Sequence, residues 1–432
     1  MRARILSRIE TEVSHFNLLS IDMKHMLLSY GFYLAAYPLL ATFMNAYLWR
    51  SSGNLWSIIF YNIGWITGLP SGFYLNGFLL KKFRILKLYL TGLLLQAIIP
   101  IMIVFLPFDG LPAILCYGFM YGAGSGLFWG NKSYIDLQIT RGTNRIYYNS
   151  IGTIVDLLAN IIVPAAIGWF IVFANGVFSQ ESFIAYKIVM VIGFILLLIS
   201  GVIMQSSTIE NSVITNMIVR KPSTLWSSIR MFNLLHNIQV GVTIVLANVV
   251  ILVLVGGEGI LGTLQTITAG LSSLLLYVMG RKATAASSWK FVSIGSLIFF
   301  AGTCTLAGVF NWVGAIAYSI VITIAWAVQW TPANSVTMDL LDTEEHDPEK
   351  QYAYICDDEL FYNIGRAIGI SIVVTLLTVA GQTTALRWSP FIVGIIQLPL
   401  GWFIYSIVKH GDSPTPTATA ATTTTGEPSG KP

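Results

Sequence analysis

Asp156 is an acidic residue inside an apolar segment, residues 147–174, that is long enough to cross a lipid bilayer. Asn149 and Asn160 share a face with it if the segment is helical. A carboxylate at this depth is unfavourable unless it is paired, hydrated or protonated, so such an acid is a candidate carrier of protons or ions. A hydrogen-bonded acid with a structural role is the alternative, and the sequence leaves both open.

Glu359, Asn363 and Arg366 recur at helical spacing in a second apolar segment, residues 356–380. The arginine side chain is long enough to approach Glu359 two turns away. One interpretation is an ion pair that holds the end of the helix. The other is an arginine that binds an anion or takes part, with Glu359, in coupling to an ion.

Aromatic rings and amides recur in four further apolar segments. Buried phenols and amides need hydrogen-bond partners, and neighbouring helices can supply them. The alternative is that they form the wall of a cavity, where rings with polar ends suit a partly apolar organic solute. The residues are Tyr30, Tyr37 and Asn45; Tyr121 and Trp129; His236, Asn237 and Asn248; and Trp326, Gln329, Trp330 and Asn334.

The elements that must position these residues are membrane-spanning helices. Of the 432 residues, 55% are hydrophobic and 10% are charged, whereas a soluble domain carries about 25% charged residues. We therefore predict an all-α integral membrane protein with about twelve spans, each long enough to cross a hydrocarbon core of about 30 Å. The predicted spans are 27–48, 55–79, 86–106, 111–135, 147–174, 183–204, 229–255, 259–280, 290–310, 313–338, 356–380 and 390–408.

The basic residues predict the orientation of these spans. Of the 24 Lys and Arg residues, 20 fall on one side of the predicted membrane and three on the other, with Arg366 inside a span. By the positive-inside rule both termini are expected in the cytoplasm, so the charge predicts topology and not nucleic-acid binding. Residues 1–26 are expected to form an amphipathic segment on the inner leaflet, and the polar residues 409–432 a disordered tail.

A weak internal repeat at an interval of about 200 residues suggests two halves. They are residues 27–204 and 229–408, each with six helices, joined by a central cytoplasmic loop at 205–228. The matched residues are Asn45 with Asn248, Lys81–Lys82 with Arg281–Lys282, Trp129 with Trp330, and Asp136 with Asp339.

This arrangement resembles the major facilitator superfamily. The loop after the second helix, from Gly72 through Asn76 and Gly77 to Lys81 and Lys82, keeps the first glycine and the bases of that family's signature but has Asn76 in place of its aspartate. The resemblance covers residues 27–408 and implies that helices 1, 4, 7 and 10 line a central cavity.

The resemblance implies a secondary transporter that moves a small organic solute by alternating access. The chain has no Gly-x-x-x-x-Gly-Lys-Ser/Thr loop, so we expect coupling to a proton or other ion gradient and no cofactor. The leading expectation is proton-coupled export of a drug-like or siderophore-like metabolite by a monomer in a bacterial inner membrane. The alternatives are a nutrient importer of the same fold and a non-transporting sensor or assembly factor; an enzyme is not expected.

Opposite charges are predicted to face each other at the cytoplasmic side of the two halves. The basic set is Lys81, Lys82, Arg84, Arg141 and Arg145, and the acidic set is Asp342, Glu344, Glu345 and Asp347. Their attraction would favour a state closed to the cytoplasm. A solvated charge run is the alternative.

Overall fold

The structure is a computed structural model that describes residues 16–106, 110–140, 143–178, 183–209, 211, 214, 216–282 and 287–411. These residues form a succession of long α-helices, most of them joined by short connections. The helices are α1 (Ile21–Ser52), α2 (Leu55–Leu79), α3 (Ile85–Phe105), α4 (Leu111–Ile139), α5 (Thr143–Val177), α6 (Ile184–Gln205), α7 (Thr224–Leu254), α8 (Glu258–Lys282), α9 (Ser288–Gly308), α10 (Trp312–Glu344), α11 (Pro348–Gln397) and α12 (Leu400–Gly411).

Ten helices within the described ranges are long and apolar enough to cross a membrane, judged by length and composition. The predicted class, an all-α multi-pass membrane protein, is therefore confirmed. The count of about twelve spans in two six-helix bundles stays a prediction. One reason is that Lys350–Lys409 is a single apolar run although Gly381 divides it, and another is that α2 is not among the ten.

The helices begin where a side chain can satisfy the first free backbone N–H groups. Ser20 caps α1 by accepting from the amide of Met23, and Asn54 caps α2 by accepting from the amides of Trp56 and Ser57. Gly53, with φ of 67°, ends α1 in the left-handed conformation that favours glycine. The connection between α1 and α2 is therefore only two residues long, which makes them antiparallel neighbours.

Several helix bounds differ from the predicted ones; for example, α11 begins at Pro348 instead of residue 356. α1 begins at Ile21 instead of residue 27, and α7 begins at Thr224 instead of residue 229, because serine caps precede both. In the last predicted pair of spans, residues 381–389 were expected to form a loop. The helix breaks only at Gly381 (φ 81°, ψ 173°) and then resumes. Residues 1–15 and 412–432 lie outside the described part of the chain.

Glycines on α2 and α4 allow these two helices to lie with their backbones in contact. A Cβ atom added to Gly68 would lie 2.1 Å from the carbonyl oxygen of Phe119, and one added to Gly122 would lie 2.3 Å from that of Trp65. This contact fixes the face of α2 that carries Tyr61 and Trp65. The same device joins α7 to α11, since a Cβ at Gly241 would lie 2.1 Å from the carbonyl oxygen of Arg366.

We expect Gly122→Ala to destabilise the protein because the clashing atom belongs to the backbone and cannot turn away. Overpacking of this kind costs about 1–3 kcal/mol. Thermal unfolding of the detergent-solubilised protein, followed by tryptophan fluorescence, measures the effect. Gly176→Ala is the matched control, since nothing lies within 4 Å of a Cβ at that helical position. An equal melting temperature for Gly122→Ala and the wild type would contradict this account of the α2–α4 contact.

Candidate functional site

A cavity of about 510 Å³ lies between the helices and is lined by side chains from both halves of the chain. α1, α2 and α4 contribute rings, α7 and α8 contribute amides, and α11 contributes the charged pair Glu359 and Arg366. The volume is within the range that holds small organic molecules. The polar and aromatic lining residues are Tyr33, Tyr37, Thr42, Asn45, Tyr61, Asn62, Trp65, Tyr121, Ser125, Trp129, Thr243, Asn248, Gln265, Glu359 and Arg366.

Seven residues predicted from the sequence line this main cavity. They are Tyr37, Asn45, Tyr121, Trp129, Asn248, Glu359 and Arg366. The sequence analysis did not single out Tyr61, Asn62, Trp65 and Gln265, which line it as well. The spacing of Tyr61 and Trp65, four residues apart on α2, is the signal in the sequence, but the family resemblance points to helices 1, 4, 7 and 10.

The other predicted solute-binding residues lie elsewhere. His236 is buried and stacks on Trp330, with ring centroids 5.4 Å apart, and Asn237 bonds back to the carbonyl of Asn233. Gln329 donates to Ser296 on α9. Trp326 lines a separate cavity of about 210 Å³ with Gln239 and Phe299, and the partly buried Asn334 lies further along α10. α10 therefore contributes no residue to the main cavity among those described, although its rings pack behind α7.

Amide side chains join the two halves beside the main cavity. Asn45 donates to the carbonyl oxygen of Ile244 at 3.1 Å and accepts from Asn62 at 3.2 Å. Gln265 donates to Thr42 and to Asn248, both at 3.3 Å. The two asparagines matched in the internal repeat thus both take part in contacts around the junction of the halves.

Arg366 is the cation of the main cavity, and its partners come mostly from its own helix. Its Nη1 atom donates to Glu359 Oε1 and to Asn363 Oδ1, each at 3.1 Å. Asn363 also donates to the same carboxylate oxygen at 2.7 Å. The guanidinium lies 5.5 Å from the ring centroid of Trp65 on α2, a cation–π distance. The predicted ion pair is therefore formed, and it lies on the wall of the cavity.

Asp156 lies in a second, smaller cavity of about 220 Å³ between α1, α4 and α5. Its Oδ1 atom accepts from Asn160 at 2.9 Å. In the same cavity Lys132 pairs with Asp136 at 2.6 Å and lies 4.1 Å from the ring centroid of Tyr30, another predicted solute-binding residue. The ring of Tyr30 meets that of Trp129 edge to face, so an aromatic contact connects this cavity to the main one.

Solved structures with a similar fold include transporters. A D-xylose–proton symporter matches 90% of this chain and 96% of its own, with 13% identity and a TM-score of 0.65. A POT family transporter in complex with 5-aminolevulinic acid matches 89% of this chain and 96% of its own, with 15% identity and the same TM-score. The chain has the fold of the major facilitator transporters. The resemblance inferred from the sequence is confirmed at the level of the fold.

Sequence comparison adds a relative of similar length. The Bacillus subtilis protein YqgE, which is described as uncharacterized, is 22% identical over 393 residues, covering 89% of this chain and 90% of its own length. No protein-family model matches the chain.

In this major facilitator fold, the halves meet through neutral groups at the end of the bundle where α2 finishes. Tyr352 of α11 donates its hydroxyl to the carbonyl oxygen of Phe73 at 2.8 Å and accepts from Asn76 at 3.1 Å. Asn131 of α4 donates to Asn76 at 2.8 Å. Asn76 is the residue that replaces the aspartate of the family's signature, and it forms these hydrogen bonds through its side-chain amide. The closure at this end therefore involves hydrogen bonds between uncharged side chains.

The predicted charge attraction at the same end stays a prediction. Lys81, Lys82 and Arg84 are exposed, Arg141 lies outside the described residues, and the side chain of Arg145 is likewise outside them. In the acidic set, Glu345 and Asp347 lie 4.0 and 3.7 Å from Lys350 of their own loop. Glu344 accepts from Ser223, and Asp342 accepts from Gln351. These contacts are all within the second half of the chain.

The opposite end of the bundle carries an ion pair between the halves. Arg50 of α1 donates to Glu258 of α8 at 2.7 Å, and Tyr186 of α6 donates to the same oxygen, also at 2.7 Å. Of the ion pairs between described residues, this one alone joins the two halves. Nearby, the close approach of Gly262 to Pro164 packs α8 against α5.

We expect Glu258→Gln to shift the protein toward a state open at this end, because the substitution removes the charge that holds Arg50 and Tyr186. A hydrogen bond to a charged group contributes about 1.5–3 kcal/mol, so the open fraction should rise about tenfold or more. Electron–electron distance measurements between spin labels at positions 51 and 257 report the separation. Glu345→Gln, which removes a charge paired only within one half, is the control. Identical distance distributions for Glu258→Gln and the wild type would show that the helix packing alone keeps this end closed.

Proposed function

We propose that the protein is a secondary transporter that carries a small organic solute through the main cavity by alternating access. The observation that carries the proposal is the composition of this cavity, in which rings, amides and one ion pair from both halves surround a single space. The similar fold of a D-xylose–proton symporter and of a POT family transporter supports it. Contacts between the halves at the two ends, through Tyr352 and through Glu258, are what such a transporter has to break in turn.

The coupling that we propose uses the proton gradient and the pair Glu359 and Arg366. Protonation of Glu359 would remove the negative partner of Arg366 and make the guanidinium available to the solute. Asp156 is the second candidate for coupling, since it lies in a cavity with Lys132 and Asp136 and connects to the main cavity through Tyr30 and Trp129. The two acids lie in different cavities, so their roles can be separated by substitution.

The aromatic walls support a partly apolar solute, and we propose export of a drug-like or siderophore-like metabolite. Import of a nutrient is the second candidate. The proposed setting is a bacterial inner membrane with both termini in the cytoplasm, in keeping with the basic residues between α2 and α3 and with the Bacillus relative. The proposal further includes a monomer without enzymatic activity.

Solute exchange in proteoliposomes tests the proposed function. Candidate solutes loaded inside should drive counterflow of the same labelled solute from outside without any ion gradient, because alternating access permits exchange. Right-side-out and inside-out vesicles under an imposed pH gradient then distinguish export from import. A protein that binds a solute without exchanging it would be a sensor or assembly factor, and the transport proposal would be wrong.

We expect Glu359→Gln to abolish accumulation driven by a pH gradient while counterflow of the transported solute continues. The amide keeps the size of the side chain and a hydrogen-bond acceptor for Arg366 but cannot exchange a proton. Asp156→Asn is measured in parallel, and accumulation persists in this variant if its carboxylate is structural. Asp347→Asn, at the exposed Lys350 pair, is the control. Gradient-driven accumulation at the wild-type level in Glu359→Gln would remove Glu359 from the coupling mechanism.

A further inference from the structure

Three hydrogen-bond donors on the wall of the main cavity have no acceptor in the described part of the protein. They are the hydroxyl of Tyr61, Nε1 of Trp65 and Nε of Arg366, and all three atoms are buried. Tryptophan and arginine nitrogens can only donate, and a phenol donates readily. Buried polar groups without a partner are unfavourable and therefore uncommon, so three in one cavity need an explanation.

The three donors belong to facing walls of the cavity. Tyr61 and Trp65 are one turn apart on α2, on the side held against α4 by glycines. Arg366 projects from α11, with its guanidinium 5.5 Å from the ring centroid of Trp65. Because both walls are fixed by backbone contacts, the donors are preorganised, which lowers the entropic cost of binding an acceptor.

Glu359 does not satisfy these donors. It is engaged by Nη1 of Arg366 and by Asn363, which leaves Nε of the arginine without a partner. A second group with acceptor oxygens in the main cavity, beside Arg366, Trp65 and Tyr61, would give these donors a partner. Such a group pairs best with the guanidinium when it is itself anionic.

Given the transport function proposed above, we infer that the solute is a small organic carboxylate whose acidic group accepts from Arg366, Trp65 and Tyr61. A carboxylate brings a single negative charge to the side of Arg366, whereas a phosphate dianion would bring a second charge with no cation of its own. The rings of Tyr33, Tyr37 and Trp129 then contact the apolar body of the acid. The donors determine the class of solute, and the rings allow its body to vary.

Binding of carboxylates and their amides to the purified full-length protein tests this inference. The probes are pairs of equal size, such as phenylacetate with phenylacetamide and benzoate with benzamide, together with 2-phenylethylamine as a cation. Thermal stabilisation as a function of concentration gives the apparent affinity. We expect the acids to bind at least about tenfold more tightly than their amides, as for the loss of a charge-assisted hydrogen bond.

Arg366→Gln should abolish this preference, and Arg387→Gln, at an arginine outside the cavity that donates to the carbonyl of Ala307, should keep it. Three results would overturn the inference: amides or the amine that bind as tightly as the acids, a preference that survives in Arg366→Gln, or no stabilisation by any acid at millimolar concentration.

Trp65→Phe and Tyr61→Phe remove one donor each and keep the ring. Each should weaken binding of the acid by about three- to tenfold and leave binding of the amide nearly unchanged, because a single hydrogen bond to the anion is lost. Neither should lower the melting temperature of the free protein, since the donor has no protein partner to lose. Tyr352→Phe, which removes a bonded hydroxyl, should lower it. Lower melting temperatures with unchanged acid preference in the two cavity variants would mean that the donors are structural.

The inference and the transport function can fail separately. If a neutral solute exchanges in proteoliposomes and no acid binds, the proposed transport function stands and the inference of a carboxylate solute is wrong. If acids bind in an Arg366-dependent manner but no counterflow occurs, the acid-binding site stands and the proposed transport function is wrong.

Discussion

A guanidinium within the span of a membrane protein must have a partner at every stage, because an unpaired charge there is strongly unfavourable. Arg366 meets this constraint with Glu359 and Asn363 on its own helix, so the pair moves with α11 and does not depend on the position of the other half. Two other helices complete the surroundings of Arg366. Gly241 lets α7 approach the backbone of Arg366, and Trp65 of α2 covers the guanidinium from the opposite wall.

The two ends of the bundle hold the halves together through different interactions, neutral hydrogen bonds at one end and an ion pair at the other. At the Tyr352 end, the bonds join a phenol, an amide and a backbone carbonyl, and salt does not screen them. At the other end, Glu258 is buried but Arg50 is 40% exposed, so their attraction weakens as ionic strength rises. Closure at the Arg50 end is therefore the more sensitive to the surrounding solution. The Arg50–Glu258 pair was not predicted from the sequence, and the predicted attraction at the lysine-rich end stays a prediction.

Local patterns in the sequence predicted part of the candidate site. The spacing of Glu359, Asn363 and Arg366 determines their common face on any helix, and the ion pair forms as that spacing predicts. Apolar segments likewise predicted most helices to within several residues, but the loop predicted at 381–389 is helical after Gly381. Tyr61 and Trp65 could not be matched to Arg366 in this way, because they are about 300 residues away in the chain and meet it only through helix packing. The glycines that bring α2 and α4 together were visible as a pattern on α4, but their partner helix was not.

Asp156 and Glu359 are both acids at membrane depth. Loss of the charge has different consequences for each of them, because their surroundings differ. Glu359 is held by a cation, so loss of its charge leaves Arg366 without its anionic partner. Asp156 is held by the neutral amide of Asn160, while the nearby Lys132 is already paired with Asp136, which Tyr148 also contacts. Loss of the charge on Asp156 therefore leaves no cation without a partner in its cavity. Of the two acids, only Glu359 lies beside an arginine in the main cavity, so under the proposed mechanism only this acid could give up its place to a carboxylate solute.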